Sequence, residues 1–175
     1  MKKRIVMLLA SEKFRDCEYI TPRAFFEQAG IEIVTASTTG SSTGRFGYKV
    51  HADLLLEEID ARTFDGIYFV GGAGSAQYLQ DEIAKSVFNS FLHLNKPIAA
   101  ICAAPRNLLK WDMLKNKRAT GFDADGIFSK MAAEHGAIAL PQEKVVTDGL
   151  ILTANGPEAA EESALAFIQL LHSTH

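Results

Sequence analysis

Short apolar runs alternate with stretches of helical spacing along almost the whole chain, and this alternation sets the fold class. Residues 5–10, 31–36, 65–70 and 97–101 read as strands, several of them apolar on both faces. A strand that is apolar on both faces needs cover above and below, which is the condition of a parallel sheet inside an α/β protein. The intervening stretches supply the cover. Residues 18–29 place Ile20, Ala24 and Phe25 at helical spacing and stop at Gly30, while 83–94 and 127–135 repeat the pattern, the latter ended by Gly136. Residues 75–78 read as a short helix, and Pro157 suits the first turn of a last helix running to 171. Residues 144–147 and 150–154 flank Asp148-Gly149, predicting an antiparallel hairpin with a two-residue turn. Residues 38–47, rich in Ser, Thr and Gly, read as a loop leading to a short strand at 48–51, and 118–122 as a further short strand. The expectation is one doubly wound α/β domain spanning 1–175, with a hairpin added on its C-terminal side.

The chain has 175 residues, 47 % of them hydrophobic and 22 % charged, at a net charge of −3. A chain of this length buries roughly two-thirds of its unfolded surface, so its core needs neither disulfide nor metal. The basic opening run Met1-Lys2-Lys3-Arg4 is too short for a nucleic-acid footprint, and residues 5–10 are far too short to span a membrane. The reading is a cytoplasmic protein that binds neither nucleic acid nor membrane. Two cysteines in such a chain point to thiols rather than a bridge. The histidines are scattered, with no HxxxH and no CxxC, so no metal and no cofactor are expected.

Ligands of doubly wound sheets bind at the C-terminal ends of the strands. Cys102 stands there, where the apolar run 97–101 ends and a helix follows, with Ala100 and Ala104 two residues to either side. A nucleophile on a sharp strand-to-helix turn needs small neighbours at that spacing. The start of the helix offers unpaired N–H groups, which favour the thiolate. The plain alternative is a small buried core residue. Glu18 lies in the first strand-to-helix connection; it reads either as a solvated helix-start acid or, facing Cys102, as a protonated carboxyl that donates to sulfur. Gly71-Gly72 ends the strand 65–70, as a tight turn or as a close backbone approach that aims an N–H at an oxyanion, with the Ala103 N–H as second donor. Arg106 is one helical turn past Cys102, a solvated cation or one directed at the thiol. Cys17, beside Glu18, is a candidate resolving thiol. Gly72-Ala73-Gly74 lacks the third glycine of a dinucleotide loop and does not follow the first strand. No histidine has an evident route to Cys102, so the base a cysteine hydrolase needs is hard to find.

The run Ile98-Ala99-Ala100-Ile101-Cys102-Ala103-Ala104-Pro105, with Glu18 four residues before Pro22, resembles the DJ-1/PfpI superfamily, as do Val70-Gly71-Gly72, Ser75-Ala76-Gln77-Tyr78-Leu79 and residues 149–157. The resemblance covers nearly the whole chain and leans to the DJ-1/YajL (ThiJ) branch, since alanine follows the cysteine. It implies a flavodoxin-like three-layer sandwich, a homodimer, Cys102 as an oxidation-prone nucleophile, Glu18 as its protonated partner, and a pocket lined by backbone of Gly71, Gly72 and Ala103. It implies activity on small reactive carbonyls (methylglyoxal hydration to lactate, or deglycation), chaperoning, or protection against oxidants. The PfpI branch places a histidine after the cysteine, where this chain has Ala103. Phe122 stands where DJ-1 carries a histidine, and Phe122 cannot shuttle protons. Asn155 replaces the arginine that precedes Gly-Pro in the family, so that anion contact is lost.

Three readings are open at this point. One is a cofactor-free glyoxalase- or deglycase-type thiol enzyme acting on carbonyls. Another is a redox-responsive or chaperone-type module in which an oxidant meets Cys102. The third is a cysteine amidase or protease.

Overall fold

The computed structural model describes residues 2–174; Met1 of the basic opening run and His175 lie outside them. In chain order the elements are β1 (Arg4–Leu8), β2 (Glu12–Phe14), α1 (Asp16–Gln28), β3 (Glu32–Ser37), β4 (Ser41–Gly44), β5 (Lys49–His51), β6 (Leu54–Leu55) and β7 (Gly66–Phe69). They continue with α2 (Glu82–His93), β8 (Ile98–Ile101), α3 (Pro105–Lys110), β9 (Arg118–Ala119), α4 (Ile127–Glu134), β10 (Ile138–Ala139), β11 (Val145–Asp148), β12 (Ile151–Ala154) and α5 (Ala160–Ser173).

Seven strands form the central sheet in the order β11-β12-β8-β7-β1-β3-β6, parallel except for β11, which pairs antiparallel with β12. The fold is the expected single-domain α/β arrangement with a mostly parallel sheet. The centre of the sheet is dry: all residues of β7 and β8 are buried, as are the last four of β1. Strand alternation then deals consecutive aromatics to opposite layers. Tyr68 packs against Phe26 of α1 and Phe167 of α5, with ring centroids 5.3 and 5.7 Å away. Phe69 packs against Phe88 of α2 and Trp111 on the other face, at 5.3 and 6.3 Å. No helix among the described residues is long and apolar enough to cross a membrane.

Several expectations need correction. The stretch 38–47 is not a plain loop: β4 lies within it, pairing parallel with β2 and antiparallel with β5 in a small second sheet. Its polar residues conceal the strand because only Ser42 and Gly44 of β4 are buried. The C-terminal hairpin pairs Asp148 with Ile151, so its turn residues are Gly149 and Leu150, one place later than predicted. Gly149, at φ 62°, occupies the left-handed position such a turn requires. The strand expected over 118–122 is only β9, because Phe122 instead turns back to donate its N–H to the Cys102 carbonyl at 2.7 Å.

Candidate active site

The C-terminal ends of β1, β7 and β8 bring three segments together: the connection into α1, the glycines after β7, and the corner after β8. Cys102 forms that corner. Its φ of +63° lies in the left-handed region, which non-glycine residues seldom occupy and which costs on the order of 1–3 kcal/mol. Two hydrogen bonds hold the strained residue: its N–H donates to the Ala154 carbonyl of β12 at 2.8 Å, and its carbonyl accepts from Phe122. The elbow expected from Ala100 and Ala104 is thus present, and both alanines are buried.

Glu18, in the first turn of α1, is fully buried and faces Cys102. The thiol and the Gly71 N–H lie beside its carboxyl, yet neither completes a well-formed hydrogen bond, and both carboxyl oxygens are left without a partner. Desolvation therefore dominates and raises the carboxyl to about 7, against the weaker pull of the thiol contact, the Arg15 charge and the Gly71 N–H. Burial likewise pushes the Cys102 thiol up to about 12, helped by the Glu18 charge and contact, while the Ala103 and Gly72 N–H groups pull it down. The two groups titrate as a pair. A first proton leaves near neutrality and the second is held far into the alkaline range; a thiolate near pH 7 requires that the carboxyl keep its proton.

This corrects the expectation of a thiolate favoured by the following helix. That helix, α3, has only six residues and starts at Pro105, three residues past the cysteine. With Cys102 only 9 % exposed, desolvation outweighs what so short a helix supplies.

The glycines are dictated by space. A Cβ on Gly71 would collide with the Ile101 carbonyl and the Glu18 carboxyl and would sit 2.9 Å from Cys102 Cβ. Gly72, at φ +103°, would set a Cβ against the Arg15 nitrogen and 2.8 Å from the Lys13 carbonyl. Only a residue without a side chain lets this strand end pass between the first connection and Cys102. Gly74 has a similar reason: its Cα side is pressed onto the backbone of Glu12, so the glycines 72 and 74 serve packing and not a dinucleotide.

The remaining candidates are placed differently. Arg106 is not solvated: its guanidinium donates to the Phe122 carbonyl at 2.9 Å and to Asp125 at 2.7 Å, and lies 5.5 Å over the Phe122 ring. It fastens α3 to the segment carrying Phe122. Asn155 directs its amide to the Pro141 carbonyl at 3.3 Å. Cys17 is a half-buried free thiol. No described histidine hydrogen-bonds Cys102, and His135 pairs with Asp112 at 2.8 Å.

Two features escaped the sequence reading. Asp16 accepts the N–H groups of Phe46 and Tyr48, each at 3.0 Å, and latches the β4–β5 hairpin onto the start of α1. Gly44 makes room for that carboxylate, and no local sequence pattern announces the pairing. Arg15 acts on Glu18 from the same connection. Its place three residues before the acid was the available signal. A surface concavity of about 530 Å³ lies elsewhere, lined by residues of 57–62 and 90–94. None of these is a strand C-terminus, so the chemistry rather than the volume locates the site.

A sequence model described as the DJ-1/PfpI family matches residues 3–170. A deglycase of Pyrococcus abyssi is 29 % identical over 167 residues, covering 95 % of this chain and 98 % of its own. Protein/nucleic acid deglycase 2 of Escherichia coli is 30 % identical over 162 residues, covering 90 % and 91 %. The crystal structure of a ThiJ/PfpI domain protein from Brachyspira murdochii superposes with a TM-score of 0.93 at 30 % identity, over 100 % of both chains. Sequence and fold agree over the same span, and the chain belongs to the DJ-1/PfpI family.

Proposed function

We propose that the protein is a cofactor-free thiol enzyme acting on small reactive carbonyls, either free 2-oxoaldehydes or their early adducts with amines and thiols. The observation that carries this reading is the Cys102–Glu18 pair: a thiol at a strained corner, a buried carboxyl with both oxygens unpartnered, and the N–H groups of Gly72 and Ala103 aimed at the sulfur. The relatives named as deglycases support it.

The chemistry balances with water as the only co-reactant. Sulfur adds to the aldehyde carbon of methylglyoxal, and the thiol proton passes to the aldehyde oxygen, giving a hemithioacetal. The Glu18 carboxylate removes the C–H proton of that carbon and returns it to the neighbouring carbon, while the hydroxyl proton of the hemithioacetal passes to the former ketone oxygen, which leaves a lactoyl thioester. Water cleaves the S–C bond, releasing lactate and restoring the thiol. A carboxyl that titrates near 7 suits a group that must both take and give a proton near neutrality. Lactate release from methylglyoxal is expected for the native chain and not for Cys102→Ala or Glu18→Gln prepared alongside. Absence of lactate above the Cys102→Ala background at high protein concentration would overturn this reading.

A second reading has its own observation. The unpartnered Glu18 oxygens can hold an oxidised sulfur, the protonated carboxyl donating to a sulfinate formed from the thiol and two equivalents of peroxide with loss of two waters. Intact mass after mild peroxide decides it: Cys102 should gain two oxygens before Cys17 or the methionines gain any.

A further inference from the structure

Arg15 is a half-buried cation without an acid partner. Acidic residues outnumber Lys and Arg by 21 to 18, yet among the described residues no carboxylate pairs with the Arg15 guanidinium. Its Nε is buried with no hydrogen-bond partner. The adjacent acid, Asp16, does not neutralise it, because that carboxylate is occupied by the Phe46 and Tyr48 N–H groups. The guanidinium lies instead 5.0 Å over the ring of Phe46, whose side chain is 70 % exposed. A second guanidinium, that of Arg45, stands 5.8 Å from the same ring. Like charges gathered around one exposed ring repel each other, and a cation–π contact at such a site returns only about 0.5–1 kcal/mol.

This cationic rim adjoins the site. The Arg15 N–H donates to the Gly71 carbonyl at 2.9 Å, and Gly71 is wedged between Glu18 and Cys102. The Arg15 charge reaches the Glu18 carboxyl. The hairpin bearing Phe46 and Arg45 is held in place by Asp16, so the rim is fixed rather than a loose tip.

We propose that Arg15, assisted by Arg45, forms an anion-selecting mouth over the Cys102–Glu18 pair and directs the protein to 2-oxoaldehydes that carry a carboxylate or phosphate beyond the ketone carbon. The substrate class rests on the carbonyl reading above; the selection of anions does not. A planar guanidinium binds carboxylate or phosphate through paired N–H donors, and a half-buried one does so with little screening. Such a group on the substrate would fix the aldehyde carbon toward sulfur and favour anionic over neutral carbonyls.

Two alkylating probes of almost equal size test the mouth without any turnover. Iodoacetate is an anion and iodoacetamide is neutral; in both the sulfur bonds to the methylene carbon as the C–I bond breaks and iodide leaves. The ratio of their rates at Cys102, read by peptide mass at low salt, should exceed that of free cysteine by about fivefold or more, the size expected of one partly screened charge contact. Arg15→Gln should remove most of that excess, the ratio cancelling any change in thiol ionisation that is common to both probes, Arg15→Lys should keep part of it, and Arg45→Gln should lower it less. Added salt should lower the native ratio toward that of Arg15→Gln. A Cys102 ratio equal to that of free cysteine, a ratio that Arg15→Gln does not change, or a Cys102 that neither probe reaches overturns the proposal. In the turnover arm, methylglyoxal is compared with the 2-oxoaldehyde bearing a phosphate on its third carbon. The phosphate-bearing compound should have the higher kcat/KM, and Arg15→Gln should reverse the order. Anion-selective labelling with no turnover of either compound sinks the carbonyl reading alone.

Discussion

Two buried polar pairs sit near each other in this fold and are built on opposite terms. The Tyr68 hydroxyl donates to Ser163 Oγ at 2.7 Å, and Ser163 donates onward to the Ala160 carbonyl at 2.8 Å. Each group there is satisfied, and the rings of Phe26 and Phe167 close around Tyr68. Glu18 and Cys102 are as deeply enclosed, but the carboxyl oxygens lack partners and the cysteine backbone is held in a strained region. A buried carboxyl without hydrogen bonds costs stability, whereas a satisfied hydroxyl pair returns some. On the function proposed above, the open pair is kept for chemistry and not for stability. Substitutions that exchange the fortunes of the two regions test this contrast.

The largest separation is in activity. Cys102→Ala should abolish lactate formation from methylglyoxal, a loss of about a thousandfold or more as expected for a nucleophile. Tyr68→Phe should leave the rate within about twofold. Parallel assays of the two variants, each checked for native circular dichroism, measure the contrast directly. A Tyr68→Phe variant as inactive as Cys102→Ala would erase it.

A matched pair of glycines compares the regions in stability. At Gly66, beside the aromatic layer, an added Cβ meets Leu171 Cδ2 at 2.9 Å, Phe167 Cζ at 3.0 Å and the Pro97 carbonyl at 2.9 Å. Two of these are ends of side chains that can give, so Gly66→Ala should cost about 2 kcal/mol. At Gly71 the obstacles are the Ile101 carbonyl and the Glu18 carboxyl, and backbone cannot yield as a side chain does. Gly71→Ala should cost about 3 kcal/mol or more, and denaturant midpoints of the two variants give the order.

The pH dependence separates the pairs without altering bulk. Glu18 titrates near 4.5 in the unfolded chain and near 7 in the folded one. A group whose folded value is raised contributes its stability fully below the unfolded value and loses it as pH rises through the folded one. Stability should therefore fall between about pH 4.5 and pH 7, by on the order of 3 kcal/mol from this group. Glu18→Gln should flatten that slope, and Tyr68→Phe should not alter it. Chemical denaturation at several pH values across the window reads both.

How far each region is legible in the sequence follows from the same physics. The sheet centre announces itself because strands buried on both faces must be written in apolar residues, as Ile5 to Leu8 and Gly66 to Phe69 are. Cys102 is legible because a strained turn after such a strand needs small neighbours, and Glu18 because it lies in the connection facing that turn. The ionisation of the pair was not legible: burial sets it, and burial of one side chain against another is a property of the assembled site. The β2–β4–β5 sheet escaped for a related reason. Its Ser and Thr residues bury little, so no alternation of apolar and polar marks it. Arg15 and Asp16 read as ordinary charges near a helix start until the hairpin is folded onto them.

The smallest expected effect belongs to the satisfied pair itself. Removing the Tyr68 hydroxyl takes away one donor, while Ser163 keeps its bond to the Ala160 carbonyl and is not stranded as a donor. The loss should be about 1 kcal/mol, the net value of one neutral hydrogen bond. The ring, its contacts with Phe26 and Phe167 and the strand it sits on are unchanged by the substitution, so no cavity larger than one oxygen adds to the cost. The corresponding change at the other pair, Glu18→Gln, should go the opposite way above pH 7: a neutral amide replaces a group that there carries a desolvated charge, and the variant should be more stable than the native chain. Opposite signs of the two stability changes at alkaline pH, read from denaturant midpoints on the same day's protein, are what a structural pair and a functional pair require; equal signs would leave the two regions doing the same work.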